Sequence, residues 1–364
     1  MTILELPSTL AGLRADARQR VERLFQIDVA VGTNDPPPEM HDWLRKQFGS
    51  VEAVERQSIV RVTNRWSLDG SLISPLRGRR PVQDGHGQGW AQLVEETRGD
   101  PFCDAEHQTP ADTWGRIRGR YLVTGANAAM SDTHHGLMIF HEHDPLAFAG
   151  EQVVEMLAVG REWADRSREA DPDAVNYLLI WNCGPRAGGS MVHGHAQMLL
   201  GRGAHYPQVD RLRRDAATYA AESGEDYLRD VVAAHRDLGL VVHEADGVAV
   251  LSSLTPVKER ELMVVGPPGM DEREHAFAGT VARLAVAARD VLEMRAFNLA
   301  LHRSPLADAT DGWERLGPVV HIVDRGDPGS TASDIGAMEL YGASVVGNDP
   351  FAVADRLREA FGGP

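Results

Sequence analysis

Residues 182–197 read Asn182-Cys183-Gly184-Pro185-Arg186-Ala187-Gly188-Gly189-Ser190-Met191-Val192-His193-Gly194-His195-Ala196-Gln197. This block follows an apolar run, Tyr177 to Trp181, that predicts a buried strand. It passes through a glycine-rich turn and ends in a second apolar run, Met198 to Leu200. The pattern predicts two strands joined by a turn, with polar side chains at the start of the second strand.

Three of those polar side chains stand at alternate positions: His193, His195 and Gln197. Successive side chains of a strand point to opposite faces, so all three are predicted to line one face. Gly194 and Ala196 leave room for close packing behind them. Two imidazoles and an amide beside a glycine-rich turn can hold a phosphate group and attack it. The alternative is a strand with two surface histidines, since the chain has 15 histidines and an isolated His-x-His arises by chance.

The block resembles the galactose-1-phosphate uridylyltransferase family of the histidine-triad (HIT) superfamily. That family carries Asn, Gly, a small residue, Ser and His-Pro-His-Gly-Gln at similar spacing. Gln197 matches the transferase branch, because HIT hydrolases usually have a third histidine there. Gly194 departs from the proline of the uridylyltransferases. The resemblance implies that His195 is a nucleophile, supported by the catalytic residues Gln197 and Ser190 and by the substrate-binding residues Asn182, Gly188 and Gly189.

Composition limits the partners of the chain. The 364 residues suffice for one large or two smaller domains, and the net charge of −16 argues against nonspecific binding to nucleic acid or to an anionic membrane. Two cysteines make no disulfide framework. The sequence shows neither a signal peptide nor an apolar segment long enough to span a bilayer, which predicts a cytoplasmic protein.

A second phosphate-binding element is predicted upstream. Three arginines fall within residues 77–80 of this acidic chain, and guanidinium groups bind phosphate oxygens in bidentate fashion. The family has a similar Ser-Pro-x-Arg-x-x-Arg-Pro segment, in which Arg77 and Arg80 occupy the two arginine positions. The resemblance implies that both contact nucleotide phosphates. The alternative is a solvated basic turn.

A metal site is implied by the segment around Cys103. The family often has a Cys-x-x-Cys pair here that binds a structural zinc; this chain has Asp100 in place of the first cysteine, and a carboxylate can also bind zinc. The other family ligands correspond to His143 and His193. The resemblance therefore implies a tetrahedral zinc site without an open position. Two alternatives remain, in which His107 replaces a ligand or Cys103 is a buried apolar residue without metal.

The resemblance also implies an α+β fold of two HIT-like halves, each an antiparallel sheet with a packed long helix. Apolar spacing predicts long helices over residues 150–170 and 276–294, each between strand-like runs. We expect an N-terminal helical extension (1–60), an N-terminal half with the His-x-His-x-Gln block (61–205) and a C-terminal half (206–364).

The second half matches the family less well. Its second metal site corresponds to His302 and to a His-x-His pair in which Val319 replaces the first histidine and His321 remains, so we expect this site to be lost. Glu339 matches a glutamate that contacts sugar hydroxyls. The lysine, tyrosine and glutamine that usually accompany it correspond to Ser333, Met338 and Val345. In the first half, Asn127 matches a residue near the nucleotide base.

The resemblance implies ping-pong transfer of a nucleoside monophosphate group from a nucleotide sugar to a sugar-1-phosphate, through a covalent nucleotidyl-histidine. The second nitrogen of that histidine should be held by a backbone carbonyl. One alternative is a phosphorylase or hydrolase of nucleotide sugars or dinucleoside polyphosphates, and another is a noncatalytic nucleotide-binding protein. A homodimer is also expected.

Overall fold

The computed structural model describes residues 1–79, 89–307, 310–330 and 335–362. The strands are β1 (Phe25–Thr33), β2 (Arg56–Asn64), β3 (Gly70–Ile73), β4 (Leu122–Ala126), β5 (His134–Phe140), β6 (Ala174–Cys183), β7 (His195–Arg202), β8 (Val241–Ala245), β9 (Val248–Ser252), β10 (Leu262–Val265), β11 (Phe297–His302), β12 (Val319–Asp324) and β13 (Ala343–Val346).

The α-helices are α1 (Leu6–Gly12), α2 (Ala15–Leu24), α3 (His41–Phe48), α4 (Glu52–Glu55), α5 (Trp90–Glu96), α6 (Ala105–Gln108), α7 (Gly150–Ala170), α8 (Pro207–Ser223), α9 (Tyr227–Leu238), α10 (His275–Asp290) and α11 (Pro350–Ala360). None of the helices in the described ranges is both apolar enough and long enough to cross a membrane.

A nine-stranded antiparallel sheet forms the centre, in the order β4-β5-β7-β6-β11-β12-β10-β9-β8. The order is symmetric about the β6–β11 pair: each half contributes two strands, a long helix and two more strands, and β8 extends one edge. The fold is therefore α+β with a duplicated plan, as predicted. The two half-sheets are continuous, because β6 and β11 pair in antiparallel register with Asn182 opposite Asn298.

The helices α7 and α10 cover one face of this sheet and contact each other. Buried side chains of α7 recur at helical spacing: Val153, Met156, Leu157 and Trp163. Trp163 lies so close to β5 that a Cβ atom at Gly136 would come within 2.5 Å of its ring. A side chain at position 136 would therefore push the helix away from β5, the strand that carries His135.

A second, four-stranded sheet has the order β1-β2-β3-β13. Residues 1–60 were expected to be helical, but they also contribute β1 and the first part of β2. The apolar spacing changes from helical to alternating at Phe25, and this change was missed because Val29 and Val31 stay about half exposed instead of marking a buried face. In the same sheet β13 pairs in parallel with β3. The division at residues 60 and 205 stays a prediction.

Candidate functional site

The four residues that the resemblance assigns to a metal lie together. Ligand atoms of Asp100, Cys103, His143 and His193 are all within 4.8 Å of one another. The Cys103 Sγ atom is 3.3 Å from His143 Nδ1 and 3.6 Å from His193 Nδ1, and Asp100 Oδ1 is 3.3 Å from His193 Nδ1. Residues separated by up to 93 positions in the sequence thus converge on one point, and they form a group that could hold a metal ion.

Hydrogen bonds at the far side of each imidazole show that this group fits a cation. His193 Nε2–H donates to the Phe140 carbonyl (2.7 Å), and His143 Nε2–H donates to the Val94 carbonyl (3.0 Å). In the neutral imidazole both Nδ1 atoms then carry lone pairs, and these atoms face each other at 3.1 Å. Two lone pairs at this distance repel each other unless a cation lies against them.

Asp100 supports the same conclusion. Its Oδ1 accepts hydrogen bonds from the backbone N–H groups of Phe102 (2.9 Å) and Cys103 (3.1 Å), which fixes the loop. Its Oδ2 is buried without a partner in the described part of the chain, and such an atom is costly unless something binds it. Carboxylate, thiolate and two imidazoles are a donor set that suits zinc.

The structure supports neither of the two alternative interpretations of this segment, in which His107 is a ligand or Cys103 is a buried apolar residue. His107 lies outside the group and is exposed, with its Nδ1 2.7 Å from Asp104 Oδ1. Cys103 is exposed and is not the buried apolar residue of the metal-free alternative. His107 is therefore not a ligand in this arrangement, and burial does not account for the thiol.

The start of β7 differs slightly from the sequence prediction. The strand begins at His195, and His193 lies in a bend just before it. Gly194 joins the two, and its N–H donates to the His143 carbonyl at 3.0 Å. A proline has no N–H to donate, and a Cβ atom here would come within 2.9 Å of the Phe140 ring. The glycine that departs from the family pattern is thus required by its surroundings.

His195 has the tautomer that a nucleophile needs. Its Nδ1–H donates to the His193 carbonyl at 2.8 Å, which leaves the lone pair on Nε2. The side chain is only 4% exposed, and this burial lowers the pKa of His195, so the neutral form is favoured. Nε2 has no hydrogen-bond partner among the described residues, yet it is not one of the unpartnered atoms sealed from solvent.

Phe102 lies between the four-residue group and the His195 imidazole, a contact that the sequence did not predict. Its ring centroid is 5.0 Å from that of His195 and 6.0 Å from that of His193, edge-on to both. Because Asp100 and Cys103 flank Phe102 in the chain, the position of the ring depends on the loop that those two residues anchor.

The glycine-rich turn is held from the second half of the chain. The side-chain nitrogen of Asn298 donates to Asn182 Oδ1 and to the Ala187 carbonyl, both at 2.7 Å. Gly188 has φ of 90°, which favours glycine, and both Gly188 and Ser190 are exposed. The predicted substrate-binding residue Asn182 is thus tied to Asn298 across the β6–β11 seam.

Gln197 lies on β7 two residues after His195. Its Oε1 is 2.9 Å from Nε2 of His135 on β5. His135 is buried, and Asn127 lies beside it, with Nδ2 at 3.2 Å from the same Nε2. The structure therefore brings together Gln197 and Asn127, both predicted from sequence, through a histidine that was not.

The remaining predicted residues lie in other elements of the fold. Arg77 is exposed in a 3-10 helix (Arg77–Arg79) that follows β3 of the small sheet, and Arg80 lies outside the described residues. Glu339 forms an ion pair with Lys258. Ser333, which corresponds to the family lysine, lies outside the described residues. In the part of the chain that the structure describes, Lys258 is a cation that contacts this glutamate.

The second half holds its own pair of histidines. The rings of His302 and His321 are 4.8 Å apart, and His321 Nδ1 is 2.8 Å from Glu261 Oε1. Burial, and secondarily the neighbouring His321, lower the pKa of His302 to about 3. These residues line a cavity of about 300 Å³ between the sheet and α8 and α9. In the described ranges, His302 and His321 do not form a group of three or more residues that could hold a metal ion.

Comparison with solved structures identifies this architecture. An ADP-glucose phosphorylase from Arabidopsis thaliana, solved with bound ADP-glucose, superimposes with a TM-score of 0.62 at 17% identity, over 80% of this chain and 95% of that one. A GalT-like protein from the same plant gives 0.59 at 17% identity, over 72% and 92%. A uridylyltransferase gives 0.55 at 16% identity, over 70% and 88%.

The chain therefore has the fold of the galactose-1-phosphate uridylyltransferase-like proteins, as the residues 182–197 predicted. No family model matches the sequence, and no curated protein matches it.

Proposed function

We propose that this protein transfers a nucleoside monophosphate group through a covalent intermediate on His195. The observation that carries the proposal is the orientation of that imidazole: a backbone carbonyl holds Nδ1–H, and the Nε2 lone pair stays available. A histidine kept neutral by burial is ready to attack at neutral pH.

In the proposed step, Nε2 attacks the α-phosphorus of a nucleotide sugar. A P–N bond forms, the P–O bond to the second phosphate breaks, and the sugar phosphate leaves with that electron pair. A phosphate oxygen of the acceptor then attacks the same phosphorus and breaks the P–N bond. The leaving group of the first step is a phosphate of low basicity, and that of the second step is the neutral imidazole of His195, which takes back the electron pair of the P–N bond. Neither step then requires a general acid, which suits a site with Gln197 where hydrolases have histidine.

The surroundings supply the charge stabilisation. Gln197 and Ser190 would contact the equatorial oxygens of the phosphorus. The backbone N–H groups of Gly188 and Gly189 donate to the carbonyls of Pro185 (3.0 Å) and Gly184 (3.3 Å), so these glycines would contribute by the shape of the turn. Arg77, which is exposed, would bind the same phosphates, and Arg80 is proposed for the same role from its sequence position. Since Phe102 packs against His195, entry of the nucleotide is expected to shift that ring.

Asp100, Cys103, His143 and His193 would hold a structural zinc. When bound, zinc would neutralise the converging lone pairs and supply no reacting group, since four protein ligands leave no open position. The role of the site would be to anchor the loop under Phe102 to the start of β7 and so to orient His195.

The acceptor separates two versions of the activity. A sugar-1-phosphate acceptor would make the protein a uridylyltransferase-like enzyme, whereas inorganic phosphate would make it a phosphorylase. The second version is favoured by Glu339, whose carboxylate pairs with Lys258 and whose usual tyrosine and glutamine companions are replaced by Met338 and Val345. A solved neighbour is itself an ADP-glucose phosphorylase.

The test is adduct formation. Incubation with UDP-glucose or ADP-glucose carrying a radiolabelled α-phosphate should label the protein with an acid-labile, base-stable bond, as a phosphoramidate is. His195→Ala should reduce labelling by at least about 10³-fold, because the nucleophile is gone. His321→Ala, a histidine of the second half, should label normally. Absence of label from every nucleotide sugar tried would indicate a noncatalytic binding protein.

Acceptor specificity follows from the same sample. The labelled protein is mixed separately with hexose-1-phosphates and with inorganic phosphate, and the acceptor that removes the label within seconds identifies the version of the activity. Release by water alone at the same rate would instead indicate a hydrolase.

A further inference from the structure

We propose that His135 is a positioning residue for Gln197: it turns the amide so that the NH₂ group, and not the carbonyl oxygen, faces the reacting phosphate. This inference rests on the proposed function, and it names a role for a buried histidine that the transfer chemistry above does not use.

The backbone sets the two side chains side by side. β5 and β7 pair with Leu137 opposite Gln197 and His135 opposite Leu199. His135 and Gln197 are therefore diagonal neighbours on the same face of the sheet, within reach of long side chains. His195 lies on that face too, two residues before Gln197 and about 7 Å away along the strand.

The tautomer of His135 follows from a donor that cannot be reversed. The backbone N–H of Ser131 donates to His135 Nδ1 at 3.1 Å, so Nδ1 carries the lone pair. In the neutral imidazole the proton is then on Nε2. A backbone N–H has one direction only, and a second one acts on Asn127: the Ala129 N–H donates to Asn127 Oδ1 at 3.0 Å, which aims the Asn127 NH₂ group at Nε2 over 3.2 Å. The Ala129 hydrogen bond is exposed, so water can replace it when the Asn127 amide turns over, whereas the Ser131 hydrogen bond is partly buried and costs more to lose. The Ser131 donor therefore decides the tautomer of His135.

The orientation of Gln197 follows in turn. His135 Nε2–H points at Gln197 over 2.9 Å, and the atom that receives it must be an acceptor, which is Oε1. The NH₂ group is then directed away from His135. It has no hydrogen-bond partner in the part of the chain that the structure describes, and Gln197 is partly exposed. Two N–H donors are thereby free for phosphate oxygens.

The alternative arrangement would oppose catalysis. A glutamine amide without a partner populates both orientations, and one of them presents a carbonyl oxygen to the anionic oxygens of the phosphorus. The hydrogen bonds from the Gln197 NH₂ group to the phosphate oxygens strengthen as negative charge develops in the transition state. The orientation of the amide should therefore affect the rate of transfer more than the affinity for the nucleotide. His135 is buried, which keeps water from competing for its Nε2–H.

The experiment compares two substitutions of similar size. His135→Gln retains an N–H donor near the former Nε2 position, and His135→Met removes it. In the labelling assay, His135→Met should lower the rate constant of adduct formation at saturating nucleotide about tenfold, since losing a donor outright costs about 10²–10³ and a donor that is only misaligned costs less. The half-saturating concentration should change less than twofold, and His135→Gln should restore most of the rate.

Two controls separate orientation from general damage. His134→Gln changes the neighbouring histidine, which contacts Asp171 at 3.2 Å, and should leave the rate unchanged. In a Gln197→Ala background, His135→Met should cause no further loss of rate. An additional tenfold loss there, or a shift of the half-saturating concentration equal to the loss of rate, would overturn the inference.

A spectroscopic measurement tests the first step independently of any activity. Long-range ¹H–¹⁵N correlation spectra of the wild-type protein should report His135 as the Nε2–H tautomer, and the Nδ1–H tautomer would overturn the inference. If the wild-type protein forms no adduct, the proposed function fails while the tautomer result stands. If it forms the adduct and His135→Met labels at the wild-type rate, only the inference fails.

Discussion

The two halves of the nine-stranded sheet each bring two histidines together, but with opposite consequences. In the first half, backbone carbonyls take the Nε2–H groups of His143 and His193, so both lone pairs converge beside Cys103 and Asp100. In the second half, Glu261 lies against Nδ1 of His321, and Val319 stands where the family has another histidine. Whether a cluster of histidines can bind a metal therefore depends on the hydrogen-bond partner of each imidazole nitrogen that faces away from the metal position, as much as on the number of histidines.

The largest expected difference between the halves is in metal content. The purified protein should contain about one zinc per chain, and Cys103→Ala should weaken zinc binding by more than the roughly 100-fold that loss of a supporting partner costs. The melting temperature should fall with it, since structural zinc contributes folding free energy. Elemental analysis and thermal unfolding measure both.

The matched control is His302→Ala in the second half, which should leave the zinc content unchanged. If His302→Ala removed zinc and Cys103→Ala did not, the assignment of the metal to the first half would be wrong.

A smaller effect is expected from making the second half resemble the first. Val319 lies opposite His302 in the β11–β12 register and two residues before His321, on the same face. Val319→His should therefore place three imidazoles together. Without zinc, the buried substitution should lower the melting temperature, because an unpaired polar group replaces an apolar one. With zinc, the melting temperature should recover and a second equivalent should bind.

Val323→His is the control for that construction. Position 323 lies on the same face but pairs with Asn298 and not with His302. It should bind no additional zinc, and equal binding by both variants would mean that the position of the new imidazole is unimportant.

The smallest expected effect is a pH dependence of stability. The pKa of His302 is lowered to about 3, whereas an unfolded histidine titrates near 6.5. Between those values the unfolded chain binds the proton and the folded chain does not, so the free energy of unfolding falls as the pH is lowered, by up to about 1.4 kcal/mol per unit from this group.

His302→Asn should therefore reduce the slope of stability against pH between about 6 and 4, measured by urea unfolding. His243→Asn, a substitution on the edge strand β8, serves as the comparison. An unchanged slope in His302→Asn would contradict this prediction, because it would mean that His302 binds its proton as readily in the folded protein as in the unfolded chain.

Much of the site could be predicted from sequence because its residues are close in the chain or match a family pattern. The block at 182–197 predicted that His195 and Gln197 lie on one face of a strand, and the resemblance placed Asp100, Cys103, His143 and His193 together. The carbonyl that holds Nδ1 of His195 was also anticipated, and the structure identifies it as that of His193.

What the sequence did not reveal depends on strand register. His135 reaches Gln197, and Asn298 reaches Asn182, only because of how β5 pairs with β7 and β6 with β11. No spacing within one strand encodes the identity of its neighbour. The strand β1 was missed for another reason, since its apolar residues lie on a largely exposed face.

The parallel pairing of β13 with β3 has a consequence for biosynthesis. Residues 343–346 complete a sheet whose other strands lie within residues 25–73, so nearly the whole chain must leave the ribosome before that sheet can close. Contacts this distant in sequence form slowly. The segment that carries Arg77 directly follows β3. We therefore expect nascent or C-terminally shortened chains to bring His193 and His195 into place before the position of Arg77 is fixed.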